Sequence, residues 1–345
     1  MTELVIDNLV VSNDAPIKVI AEIGINHGGS LETAQAMVDS AARAGAQIIK
    51  HQTHIPDEEM SDHAKTAVPG NDKRSIFEIV SESALSLDDE VRLKDYVESL
   101  GLTYLSTPFS REAANFLNDL GVPAFKIGSG ECNNHPLLRH IASFGKPIIL
   151  STGMNSIESV TASVRILRDA EVPYALLHCV NLYPTPYHLL NLGAIPELRA
   201  RFPEAQIGFS DHSIGNYASF AAAGLGANII ERHFTDHYGR SGPDIGCSVD
   251  EDGLRDLLVG CAAISEARGG RKLELPDEEV TRGFAYASVV SIQPVIKSEV
   301  FSLENIWVKR PGTGEIPASR LDEVLGKRAT RDITKGEQLL NSDYE

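Results

Sequence analysis

Short apolar runs alternate with stretches of helical spacing along most of the chain. Val19–Ile25, Gln47–Thr53, Thr103–Pro108, Ala124–Ser129, Pro147–Gly153, Tyr174–Val180, Gln206–His212 and Ile229–Thr235 each have the length and composition of a buried strand. Between them the period changes. Leu31, Ala34, Val38 and Ala41 fall on one helical face, with Ser30 placed as N-cap and Gly45 as stop. Ser156–Ala170 and Asp250–Ala267 also read as helices. Eight such strands, each followed by helical pattern, predict a (β/α)8 TIM barrel, with a doubly wound sheet as the runner-up. A hairpin-like segment precedes the first of them.

The pattern fades near Arg268-Gly269-Gly270-Arg271, which sets a barrel domain at 1–272 and a charged, Pro276-containing linker at 273–283. Residues 284–345 differ in texture, with β-like runs at Ala287–Ile292 and Ile306–Val308 and many turn residues. Lys297-Ser298-Glu299-Val300-Phe301 resembles Lys335-Gly336-Glu337-Gln338-Leu339, so this segment reads as a small pseudo-symmetric β-rich module.

Polar residues cluster at the predicted C-terminal strand ends, where a parallel barrel carries its functional groups. Those ends hold Glu22 and Asn26; Lys50 and Gln52; Thr107; Lys126, Ser129 and Glu131; Ser151; Asn181 and Tyr183; Ser210 and His212; Glu231 and His233. Lys50/Gln52, Ser210/His212 and Glu231/His233 are i, i+2 pairs that face one side of a strand. Buried charges without partners are costly, so these groups describe a shared polar pocket. Three long connections border it. His54–Ser75, with a Pro69-Gly70-Asn71-Asp72 turn, has the character of a lid; Tyr183-Pro184-Thr185-Pro186-Tyr187 is stiffened by proline; Asp236–Asp250 carries Gly242-Pro243-Asp244.

Bulk composition narrows the partners. Forty-eight acids against 31 bases give a net charge of −17, which argues against a nucleic acid or an anionic membrane. No apolar stretch is long enough to span a bilayer, and no secretion signal opens the chain. Cys132, Cys179, Cys247 and Cys261 lack CxxC spacing and read as reduced thiols of a cytoplasmic protein.

The chemistry centres on Ala124-Phe125-Lys126-Ile127-Gly128-Ser129-Gly130-Glu131, which sets a cation, a hydroxyl, free backbone N–H groups and a carboxylate around a glycine turn. Lys50 and Lys126 with Thr107, Ser129, Ser151 and Ser210 match a phosphate bearing a carboxylate; a strand lysine acting through a Schiff base is the rival reading. His212 and His233 end successive strands and suit a weakly held divalent metal with open positions, the alternative being two structural histidines. Glu131 and Glu22 are candidate proton-transfer groups, or ion-pair partners for the lysines.

Glu22-Ile23-Gly24-Ile25-Asn26-His27, Lys50-His51-Gln52-Thr53-His54-Ile55, Ser106-Thr107-Pro108-Phe109, Lys126 to Asn134, Tyr183 to Tyr187, Ser210-Asp211-His212, Glu231 to Thr235 and Gly242-Pro243-Asp244 together resemble the bacterial N-acetylneuraminate (sialic acid) synthase family. Trp307-Val308-Lys309-Arg310-Pro311-Gly312 extends the resemblance into an antifreeze-like (SAF) domain of β-clip type. The resemblance implies a transferase that condenses phosphoenolpyruvate with N-acetylmannosamine and water to give N-acetylneuraminate and phosphate by C–O cleavage. It implies phosphoenolpyruvate contacts from Lys50, Thr107, Lys126, Ser129, Ser151, Asn181 and Ser210. It places a divalent metal, typically Mn2+ with Mg2+ or Co2+ as alternatives, on His212 and His233. Gln52, Tyr183 and Asp244 would contact the amino sugar, Glu22 would orient it, and Phe109 and Phe284 would line the site. Arg310 would act in trans across a domain-swapped homodimer. On this reading Glu131 moves protons between water, phosphate and the new hydroxyl. Legionaminate and pseudaminate synthases, which run the same condensation on related amino sugars, are the close alternative; a Schiff-base lyase is the more distant one.

Overall fold

The computed structural model describes residues 3–68 and 73–345. The Pro69–Asp72 turn therefore lies outside the described residues. An N-terminal hairpin, β1 (Leu4–Ile6) and β2 (Leu9–Val11), precedes eight parallel strands: β3 (Lys18–Gly24), β4 (Ile48–Thr53), β5 (Thr103–Pro108), β6 (Phe125–Ile127), β7 (Ile148–Ser151), β8 (Tyr174–Cys179), β9 (Gln206–Asp211) and β10 (Ile229–His233). They close in sequence order, β10 returning to β3. Closure decides the architecture against a doubly wound sheet. Observed strands are up to two residues shorter at an end than the apolar runs; at β6 and β7 the chain leaves the sheet ahead of Gly128 and Gly153.

Helices start where the sequence places caps. Ser30, Ser86, Ser110, Ser156 and Asp250 each accept a bond from a first-turn backbone N–H, and Gly45 ends the first helix at φ 100°. Their apolar faces form the main core with the outward side chains of the strands, among them Ile23, Ile49, Tyr104, Phe125, Leu150 and Ile207.

Inward side chains are sorted by height. Ile20, Ile48, Leu105, Ala124, Ile149, Ala175, Leu177 and Ile229 form an apolar layer that packs on Leu4, Ile6 and Val11 of the hairpin. The hairpin thus closes the N-terminal mouth. The next inward position on each strand is polar, so the barrel opens only at its C-terminal mouth, above a dry floor. Among the described residues no helix is long and apolar enough to cross a membrane.

The chain divides into two compact units, Met1–Gly269 and Gly270–Glu345. Residues 273–283, read as a linker, contain a 3-10 turn at Pro276–Glu278 and most of a short helix, Glu279–Ala285. The second unit contains the antiparallel pair β11 (Ser288–Ser291) and β12 (Ile306–Lys309) over its own core of Val289, Val295, Phe301, Ile306, Ile316, Val324, Ile333 and Leu339. Its sequence repeat is a structural repeat. Ile296 N donates to Glu299 Oε2, and 38 residues on Thr334 N donates to Glu337 Oε2, both at 3.0 Å. Ser298 and Gly336, the matching turn residues, are both left-handed, at φ 71° and 89°.

Gly208 on β9 lies between Leu177 and Ile229. A Cβ there would stand 2.3 Å from Leu177 Cδ2 and 2.6 Å from the Ile229 carbonyl oxygen. Gly208→Ala should cost about 1–3 kcal/mol by overpacking the barrel floor. The check is urea unfolding, with a lower midpoint at unchanged slope; an unchanged midpoint would contradict this packing.

Candidate active site

The polar layer encloses a cavity of about 220 Å³ at the C-terminal mouth, and every one of the eight strands or the turn after it contributes to the lining. Its core is four buried charges. Lys50 Nζ lies 2.8 Å from Glu22 Oε1 and 3.9 Å from Glu231 Oε1, and Lys126 Nζ lies 3.7 Å from that same Glu231 oxygen. All four side chains are at most 7% exposed. Hydroxyls and an amide fill the gaps: Lys50 donates to Thr107 Oγ1 (3.2 Å), Lys126 to Ser151 Oγ (2.6 Å), Ser210 to Glu231 (3.1 Å) and Gln52 Nε2 to Glu22 Oε1 (2.8 Å).

These contacts follow from register. Glu22 pairs with Lys50 and Glu231 with Ser210 across neighbouring strands, so each falls beside its partner at one height. The β3–β4 register slips between Glu22 and Gly24. Gly24 takes φ 48° there, and a Cβ would stand 3.1 Å from Gln52 Nε2 and 3.2 Å from Glu22 Oε1. Gly153 is more confined: a Cβ would overlap Asn181 Oδ1 at 1.9 Å, while its N–H donates to Ser129 Oγ at 3.0 Å.

Burial and charge pull the four groups apart. Burial, with Glu231 adding to it and only partly offset by Lys50, raises Glu22 to about 7. Burial would raise Glu231 too, but Lys126 and Lys50 outweigh it and hold that carboxyl at about 2. Lys50 sits above its ordinary value because its two carboxylates overcome burial. In Lys126 burial wins and the value falls. Glu22 Oε2 and Glu231 Oε2 are buried with no hydrogen-bond partner. The cavity holds a fixed cation pair, a fixed anion, and a carboxyl placed to gain or lose a proton near neutral pH.

The two histidines stand together on β10 and just beyond β9, ring centroids 5.3 Å apart. Tyr183 stacks on His212 at 4.2 Å and meets His233 edge-on at 5.8 Å. His212 Nδ1 lies 2.8 Å from the Val180 carbonyl oxygen, which fixes the proton there and leaves Nε2 as an acceptor. His233 Nδ1 is buried without a hydrogen-bond partner, 3.7 Å from Asp244 Oδ2. Burial lowers His212 to about 4 and His233 to about 3, so both rings are neutral, the form a metal requires. Burial raises Asp244 to about 6. Among the described residues no three His, Cys, Asp or Glu side chains gather as a metal cage. The donor set fits a divalent ion held by two imidazoles, with water and substrate as its remaining ligands.

Of the residues singled out from the sequence, Glu22, Lys50, Gln52, Thr107, Phe109, Lys126, Ser129, Ser151, Asn181, Tyr183, Ser210, His212, His233 and Asp244 line this one cavity. Glu131 does not. The 3-10 turn Ser129–Glu131 carries it to an adjoining chamber of about 420 Å³, where Asn134 Nδ2 donates to its Oε2 at 2.5 Å and burial raises its pKa. That chamber shares Gln52, Phe109, Tyr183 and Asp244 with the polar cavity. Its outer wall is apolar, from Met60 of the loop expected to act as a lid and from Ile76, Ile79 and Val80 of the helix Ile76–Ser83 that follows it. Phe284 and Arg310 are exposed on the second unit. Two lining groups were missed as site residues: Glu231, noted only as the strand partner of His233, and Cys179, whose Sγ lies 2.9 Å from Ser129 Oγ.

A model of the NeuB family matches residues 37–273, and one of the SAF domain matches 286–345. The chain is 36% identical over 328 residues to the N,N'-diacetyllegionaminic acid synthase of Campylobacter jejuni, covering 92% of this chain and 97% of that one. It is 38% identical to the spore coat polysaccharide biosynthesis protein SpsE of Bacillus subtilis, covering 96% and 95%. The crystal structure of an N-acetylneuraminic acid (sialic acid) synthetase from Leptospira borgpetersenii superposes with a TM-score of 0.75 at 31% identity, covering 81% of this chain and 95% of that one.

Glu231→Gln should cost about 3 kcal/mol, because it leaves two buried lysines sharing only Glu22. Urea unfolding at pH 7 reads this, and added inorganic phosphate should restore more stability to the variant than to the wild type. Equal stability of the two proteins would contradict the charge balance described.

Proposed function

We infer the function from two facts: the chain belongs to the NeuB family, and its barrel mouth places a two-lysine anion cavity beside a neutral two-histidine pair. We propose that the protein condenses phosphoenolpyruvate with an N-acetylated amino hexose and water, giving a sialic-acid-type sugar acid and phosphate. The juxtaposition of Lys50, Lys126, His212 and His233 in one cavity carries this reading.

Lys50 and Lys126 neutralise the phosphate and carboxylate of phosphoenolpyruvate, and Thr107, Ser129, Ser151, Asn181 and Ser210 complete the cradle. A divalent ion on His212 and His233, of which Mn2+ is the expected one, would supply Lewis-acid polarisation of the acceptor's aldehyde when bound. Gln52, Tyr183 and Asp244 orient the open-chain sugar so that its C1 faces C3 of phosphoenolpyruvate, the geometry in which binding lowers the barrier most. C3 attacks C1, positive charge develops at C2, water adds there, and the tetrahedral intermediate loses phosphate by C–O cleavage. Glu22, inside the cavity and near 7, is suited to take the proton of the adding water and return it to the new hydroxyl. Glu131, over the adjoining chamber, is assigned to the sugar; unchanged sugar affinity in Glu131→Gln would remove that role.

N-acetylmannosamine is the acceptor the sequence motifs imply. A 6-deoxy-diacetamido hexose is the second reading, and the apolar wall of Met60, Ile76, Ile79 and Val80 favours it, since a methyl group buries against such a wall more favourably than a hydroxyl. A homodimer in which Arg310 serves the other subunit's site fits the exposure of Arg310 and Phe284; a monomeric mass in sedimentation would argue against it.

The test is phosphate release from phosphoenolpyruvate with each sugar, with EDTA and after Mn2+ is restored. The expected result is sugar-dependent release, lost with EDTA, recovered with Mn2+, and reduced at least about a hundredfold in Lys126→Met, the scale for loss of a fixed charge contact in a closed site. Borohydride trapping of a pyruvate–lysine adduct with indifference to EDTA would instead establish the Schiff-base reading.

A further inference from the structure

Behind β4 and β5, on the opposite face from the cavity, the barrel holds polar groups that the chemistry above does not use. Glu90, on the helix Leu87–Ser99, is fully buried. Its Oε2 accepts from Thr53 Oγ1 at 2.7 Å, and Thr53 Oγ1 lies 2.7 Å from Ser106 Oγ. Thr53 ends β4 and Ser106 lies near the end of β5. Through the Thr53 hydroxyl, one carboxyl therefore links a helix to two strands just behind the residues those strands send inward: Lys50 and Gln52 from β4, Thr107 from β5. The bond from Lys50 Nζ to Thr107 Oγ1 crosses the same two strands on the cavity side.

Charge cannot be what holds Glu90 there. Among the described residues no ion pair includes it, and its Oε1 is buried without a hydrogen-bond partner. The titratable group that feels its charge, Tyr104, is neutral. Tyr104 on β5 is buried, and burial drives its pKa up. His51, two residues before Thr53 on the same face of β4, is fully buried, and burial lowers its pKa. A lone carboxylate in such surroundings carries the full desolvation cost of an ion, whereas a carboxylic acid fits them. Burial accordingly raises Glu90 to about 8.

We propose that Glu90 is a positioning residue that works as a neutral carboxylic acid, tying Thr53 and Ser106 so that Lys50 and Thr107 keep the separation needed to hold the anionic substrate. The proposal rests on the anion-binding reading of the cavity. Protonation has a signed consequence. The folded protein keeps this proton up to about pH 8, while the unfolded chain releases it at the ordinary carboxyl value. This contribution to stability is therefore full at low pH and is lost as pH rises through that window.

The experiment compares wild type, Glu90→Gln, Glu90→Ala and Thr53→Val for phosphoenolpyruvate KM, kcat and pH dependence, with inorganic phosphate affinity measured by calorimetry. Glu90→Gln copies the neutral acid, so its KM should stay within about twofold of wild type and its stability should fall less than that of wild type between pH 5 and 8. Glu90→Ala and Thr53→Val should raise KM and weaken phosphate binding about tenfold, roughly the loss of one buried hydrogen bond, with kcat changed less than about threefold. Thr53→Val guards against failure of the alanine variant to fold. Glu90→Gln behaving like Glu90→Ala would overturn the neutral-acid role. Lowered stability in Glu90→Ala and Thr53→Val with phosphate affinity unchanged would overturn the positioning role. Wild type that binds neither phosphate nor phosphoenolpyruvate would overturn the anion-site reading beneath it.

Discussion

Four charges buried in the mouth of a barrel set the terms for everything around them. Lys50, Lys126, Glu22 and Glu231 balance to zero when all are ionised, and all four side chains are almost fully buried. Each is tolerable in the interior only because an opposite charge lies within 4 Å and hydroxyls occupy the gaps. The arrangement is stable but not saturated: two carboxylate oxygens and one imidazole nitrogen stay unpartnered. A multiply charged anion entering this space meets two preset cations, and Glu22 can take a proton to absorb the added negative charge. Preset dipoles and charges that need no rearrangement are the largest single source of catalytic stabilisation in many enzymes.

The fold makes this possible by height. Alternate residues of eight parallel strands give an apolar layer sealed below by the N-terminal hairpin, then a polar layer above it. The floor excludes water from beneath, and Tyr183 covers the two histidines from above. The glycines at 24 and 153 let backbone and side chains approach more closely than a Cβ would allow. A separate set of buried polar groups behind β4 and β5 braces the two strands that carry Lys50 and Thr107.

What the sequence revealed, and what it hid, has a physical reason in each case. Parallel strands buried on both faces are near-continuous apolar runs, so all eight could be located, though their ends were set too far out at Gly128 and Gly153. Inward polar groups were legible as i, i+2 pairs because that period survives any detail of closure. Glu231 sat in such a pair, yet its task as counter-ion to Lys50 and Lys126 depends on contacts across the barrel from β4 and β6, which no local spacing encodes. Glu131 drew attention by its nearness to Lys126 in sequence, and one 3-10 turn carried it to the neighbouring chamber. Glu90 was invisible, since Asp88 and Asp89 beside it form an ordinary acidic first turn and only packing shows which of the three is buried.

The central claim is that this charge cluster holds phosphoenolpyruvate for attack at carbon, with phosphate leaving by C–O cleavage and no lysine adduct. Phosphoenolpyruvate carrying 18O in the bridge between C2 and phosphorus tests it directly. The account predicts that the label is recovered in inorganic phosphate while oxygen from solvent enters the sugar acid. Label retained at C2 of the product, with unlabelled phosphate released, would mean cleavage at phosphorus and would contradict it.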